Sequence, residues 1–158
     1  MTQDDDPGPS SVTVLISDEQ SLPISLEALE HALERGCRML GAPDDATLSL
    51  TLLDADAIAV HKREAFGVEA ATDILSYPID GFGAAGPGEH VIGDLVLCPT
   101  VAARQAAAAG RDADEEVVEL LAHGLLHIAG RDHATADAEV AMAHEQRALA
   151  AAMRAGTR

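Results

Sequence analysis

The chain has no tryptophan, one tyrosine and two phenylalanines among its 158 residues. With so few rings, base stacking cannot be the main source of affinity for a single-stranded nucleic acid. Cysteine is almost as scarce: Cys37 and Cys98 stand far apart and form no C-x-x-C pair. A disulfide framework is excluded in practice, both thiols read as small, partly buried apolar residues, and a reducing cytoplasmic setting is expected. No apolar run exceeds about six to eight residues, far below the roughly 18 that a membrane span requires. The opening MTQDDDPGPSS is acidic and rich in proline and glycine, the opposite of an export signal with its basic start and apolar core. Neither export nor membrane insertion is expected.

Bases are also few. Ten stand against 27 acids, Lys62 is the one lysine, and the formal net charge is −17. Such a surface repels polyanions at long range, which disfavours DNA and non-specific RNA binding. A small basic site or a bound cation can offset that field locally.

What the chain does have is enough apolar material for one core: 47% hydrophobic and 23% charged residues over 158 positions describe a single globular domain. Residues 1–11 are expected to form a flexible acidic leader and 12–158 the domain. VTVLIS at 12–17 predicts a strand, and Leu26, Leu29, Ala32, Leu33 and Leu40 mark one face of a helix over 25–40. Ser25 is its expected cap, and Gly41 and Pro43 its stop. TLSLTLLD at 47–54 alternates leucine with hydroxyl residues, as a half-buried strand does. A helix over 55–66, strands over 72–78 and 91–98, and helices over 99–109, 114–129 and 134–154 follow. The expected fold is α/β, with a small mixed sheet of about four strands packed against helices.

The stretch HGLLHIAGRDH carries the chemistry. On a helix, His123 and His127 are four positions apart on one face, with Cβ atoms roughly 5–6 Å apart. Two imidazoles so placed can reach one ion at a Zn–N distance of about 2.0–2.1 Å. Gly130 can end the helix at positive φ and turn the chain so that His133 returns as a third ligand. By composition alone, this pattern arises with a chance on the order of one in a thousand. Three histidines leave a tetrahedral corner open, which marks a catalytic rather than a structural site. Metzincin peptidases share the spacing but need a glutamate directly after the first histidine. Here that position is Gly124, which cannot act as a base.

HGLLHIAGRDH resembles the H-G-x-L-H-L-x-G-Y-D-H signature of the YbeY family of bacterial metal-dependent endoribonucleases. TDILSYP at 72–78 is similar to that family's T-D-V-L-S-F-P, and GDLVLC at 93–98 to its G-D-I-V-I-C. The three motifs stand in the family's order, and the resemblance covers roughly residues 12–154. The resemblance implies a zincin-like site with one Zn2+ per chain on His123, His127 and His133. It also implies cleavage of single-stranded rRNA, maturation of the small-subunit rRNA 3′ end, and ribosome quality control. Most members carry Tyr-Arg shortly before the T-D motif, and that arginine is assigned to catalysis; this chain has Ala65 and Phe66 there. Arg63, one helical turn away, and Arg131, at the tyrosine position of G-Y-D-H, are the candidate catalytic cations that would face phosphate.

A three-histidine zinc would bring the pKa of water down toward ~7; water or the RNA's own 2′-OH can be the attacking oxygen. Asp132 could orient a histidine N–H or cap the following helix. Asp94 reads as structural, bonding loop backbone, or as lining the cleft. Thr72, Asp73 and Ser76 are expected on a strand bordering the cleft. Parity places Thr72, Ile74 and Ser76 on one face and Asp73, Leu75 and Tyr77 on the other, so these polar residues cannot all line one surface. Nickel and cobalt suit the same ligands. With its acidic surface, the domain is expected to meet RNA through a ribosomal subunit or ribosome-associated protein. The competing readings are a zinc peptidase or other metallohydrolase, separated by Gly124, and a ribosome-associated factor whose zinc only holds the fold.

Overall fold

The computed structural model describes residues 12–83, 86–131 and 134–155. The leader expected at 1–11, and Asp132 and His133, lie outside the described residues. Four strands, β1 (Thr13–Glu19), β2 (Thr47–Leu53), β3 (Ile74–Pro78) and β4 (Val91–Leu97), form one sheet in the order β1-β2-β4-β3. β1, β2 and β4 run parallel, and β3 pairs antiparallel with β4 at the edge. Among the described residues five helices accompany the sheet: α1 (Leu26–Met39), α2 (Ala55–Phe66), α3 (Pro99–Ala109), α4 (Ala113–Ile128) and α5 (Ala136–Ala155). This is the mixed α/β architecture that the residue pattern predicts.

Local chemistry sets the boundaries. The Ser25 hydroxyl accepts the Ala28 N–H at 3.2 Å, and the Asp112 carboxylate accepts Glu115 N–H at 3.1 Å; each satisfies a donor that the first helical turn leaves unpaired. At the other end of α4, Gly130 takes φ +89 and Arg131 N–H reaches back to the Leu126 carbonyl at 2.9 Å. That left-handed cap turns the chain directly after the second histidine.

The alternation in β2 sends Leu48, Leu50 and Leu52 into the main core, all fully buried. There they meet Leu33 and Cys37 of α1, Leu121, Leu125 and Leu126 of α4, and Leu149 and Met153 of α5. The opposite face holds a smaller cluster of Leu53, Ile58, Leu75, Val96 and Cys98. β3 divides between the two as parity requires: Ile74 packs on the main core and Leu75 on the small cluster.

Gly124 explains how closely α4 lies on the sheet. A Cβ there would stand 2.7 Å from Leu95 Cδ2 and 3.0 Å from Ile74 Cδ1. The residue after the first histidine therefore faces β3 and β4, while His123 and His127, turned about the helix axis, face outward into a cleft.

Candidate metal centre and cleft

A cleft of about 500 Å³ runs between α4 and the start of β3, lined by Phe66, Asp73, Ile74, Ser76, His123, His127 and Gln146, among others. His123 and His127 are both half-buried in its wall. Their Nε2 atoms approach to 2.9 Å, with ring centroids 4.5 Å apart.

The other nitrogen of His123 is held. Nδ1–H donates to Gln146 Oε1 at 2.8 Å, and Gln146 Nε2 donates to Glu119 Oε1 at 2.9 Å. Arg154 extends this chain, 3.9 Å from the second Glu119 oxygen. With its proton on Nδ1, His123 presents an Nε2 lone pair to the cleft, the tautomer a metal ligand needs. Tetrahedral zinc with bonds of about 2.0–2.1 Å sets two ligand nitrogens roughly 3.3 Å apart. The observed pair needs to open by only a few tenths of an ångström, so these residues fit a divalent ion. The described residues contain no group of three or more histidine, cysteine or acidic side chains arranged for a metal; the expected third ligand, His133, lies outside them.

Neither expected cation lines this cleft. Arg63 sits one turn before Phe66, but its guanidinium binds Glu69 at 3.1 Å on the exposed surface. Arg131 bonds Glu145 of α5, also at 3.1 Å, and that carboxylate raises its pKa further above the usual arginine value. In both cases a nearby carboxylate engages the charge expected at the cleft. Asp94 is structural, but its partner is not loop backbone: it accepts the Ser49 hydroxyl at 2.6 Å from the neighbouring strand. Asp73 borders the same cleft as Ser76, against the strand-parity expectation, because it precedes β3 and escapes the alternation; its side chain accepts the Ile74 N–H at 2.6 Å.

Gln146 and Glu119 are not among the candidates drawn from the sequence. Glu119 had a signal, one turn before His123 on the same helix face; Gln146, 23 residues away on α5, had none. Among the remaining histidines, His90 is buried and donates from Nε2 to the Gly81 carbonyl at 2.8 Å, closing the β3–β4 connection. His31 and His144 are exposed, and His61 is half-buried with its ring 5.8 Å from Tyr77.

The fold is a small α/β domain with paired imidazoles on a helix laid against the sheet beside its edge strand. Comparison with known proteins narrows this. The endoribonuclease YbeY family model matches residues 15–154. An endoribonuclease YbeY of Cutibacterium acnes is 39% identical over 123 residues, covering 75% of this chain and 79% of its own. One from Salinispora tropica is 34% identical over 152 residues, covering 90% and 97%. The solution structure of TM1509 from Thermotoga maritima superposes with a TM-score of 0.63 at 22% identity, covering 89% of each chain, and supports the fold. The chain belongs to the endoribonuclease YbeY family, a family of hydrolases whose substrate is RNA.

Proposed function

We propose that the protein is a zinc-dependent, single-strand-specific endoribonuclease that matures small-subunit rRNA near its 3′ end and serves ribosome quality control in the cytoplasm. The observation that carries this reading is the His123–His127 pair, with Nε2 atoms 2.9 Å apart on the cleft wall and the His123 proton fixed on the far nitrogen. His123 and His127 would hold the ion, and the spacing of His133 makes it the third ligand. When bound, the ion supplies Lewis-acid polarisation of a phosphoryl oxygen and makes water more acidic.

The chain's own groups do the rest. Glu119 and Gln146 lock one imidazole in orientation and tautomer. β3 is an edge strand that borders the cleft with Ile74 and Ser76, and Asp73 just before it lines the same cleft, so an extended strand of RNA would lie along it. Arg63 and Arg131 are the cations that would meet phosphate, and each must first leave its carboxylate. At a net charge of −17, naked RNA is held weakly, which favours delivery by a ribosomal subunit or an associated protein.

The test is metal analysis of the purified protein, with cleavage of a single-stranded rRNA precursor before and after chelation. It is repeated for His127→Ala. We expect about one zinc per chain, loss of cleavage on chelation, and at least roughly 100-fold slower cleavage by the variant with its circular dichroism unchanged. Loss of fold and activity together would mean that the ion holds the structure instead. Full activity in the metal-free protein would defeat the reading.

A further inference from the structure

Resting on the reading of this cleft as a site for single-stranded RNA, we propose that Phe66 is a stacking platform that seats one unpaired base beside His123 and His127. Phenylalanine is ordinarily buried, yet Phe66, the last residue of α2, is 56% exposed. It lines the same cleft as both histidines. Its ring lies offset-parallel to Tyr77, with centroids 6.1 Å apart and planes at 15°. The chain has only three phenylalanine or tyrosine rings, and two of them are stacked at this rim. Gly67 takes φ +78 and returns its N–H to the Arg63 carbonyl at 2.8 Å, which ends the helix at Phe66 and fixes where the ring stands.

A ring braced on one side and open to solvent elsewhere is already ordered for stacking, so little freedom is lost when a base lands on it. A phenyl ring carries no charge for phosphate, and what it offers RNA is a face for a base. One stack does not supply the affinity of a whole strand; it adds binding at one nucleotide beside the histidines. Any base offers a π face, so the contact selects unpaired over paired RNA rather than one sequence over another.

Because the chain contains no tryptophan, Phe66→Trp creates a single fluorescent reporter. We expect its emission to be quenched by a 2′-O-methyl oligonucleotide that binds without being cut. A control reporter, Leu15→Trp, at an exposed position of β1 on the opposite edge of the sheet, should not respond. In cleavage assays Phe66→Ala should raise KM about tenfold, leave kcat within about twofold, and keep its melting temperature, while Phe66→Tyr should restore KM. The difference between Phe66 and alanine should vanish on a substrate with an abasic position at the stacked nucleotide. If the wild type cuts RNA but the Phe66→Trp reporter is silent, or if alanine lowers kcat with KM unchanged, the stack is overturned while the nuclease reading stands; the ring then covers a protein partner or supports the fold. A wild type that neither binds nor cuts RNA overturns both.

Discussion

The cleft is bordered by two helices of very different standing. α4 carries the histidines and buries Val117, Leu121, Leu125, Leu126 and Ile128 in the main core. α2 ends in Phe66 and buries one residue, Ile58, against the small cluster. Metal ligands would have to keep their positions to about half an ångström, and the paired histidines sit on the helix whose rotation is fixed by packing. A surface that meets a long, flexible strand would tolerate more play, and Phe66 sits on the helix that is lightly anchored. Differential burial thus fits the tasks proposed for the two sides.

The strongest way to break this contrast is to disturb the seat of α4. Gly124→Glu would restore the residue that metzincin spacing calls for, but the side chain would enter the space held by Leu95 and Ile74 rather than the cleft. A carboxylate buried there without a partner should cost about 3–5 kcal/mol, read as a large fall in the urea midpoint, together with loss of metal binding. An unchanged midpoint would mean that α4 stands off the sheet. On the other helix, a charge at the exposed Val60 of α2 should cost within about 0.5 kcal/mol.

Much of this was legible in the sequence, because period and punctuation carry it. Leu48, Leu50 and Leu52 alternate, and all three are buried; Ser25 caps its helix, and Gly130 takes the left-handed turn expected after the second histidine. Spacing alone put His123 and His127 on one face. The fate of Arg63 and Arg131 was not legible, since Glu69 and Glu145 claim them through side-chain geometry that sequence distance does not encode. Gln146 was hidden for the same reason: α5 must pack on α4 before its amide meets His123 Nδ1 at 2.8 Å. Gln146→Leu sharpens the comparison at the ligand wall. It should leave the fold intact, since the residue is only half-buried, and weaken zinc affinity about 10–100-fold in competition with a chromophoric chelator. Unchanged affinity would show that packing alone orients the imidazole.

The smallest effect belongs to the lightly anchored side. Tyr77 packs on the small cluster, and its hydroxyl oxygen is buried with no hydrogen-bond partner among the described residues. The same burial raises its pKa above the ordinary phenol value. A buried hydroxyl without a partner costs about 1–3 kcal/mol relative to a satisfied one, and removing it recovers part of that while leaving a small void. Tyr77→Phe should therefore be neutral or raise stability by up to about 1 kcal/mol, a shift of a few degrees in melting temperature. The ring that braces Phe66 would remain, so KM for RNA should not change. Tyr77→Leu keeps the apolar contact and removes the brace, and should reproduce part of the KM increase of Phe66→Ala without its loss of exposed ring. If Tyr77→Phe instead lowered stability by more than about 1 kcal/mol, the hydroxyl would have a partner in solution, and this rim would be held by more than a small apolar cluster and a stacked pair of rings.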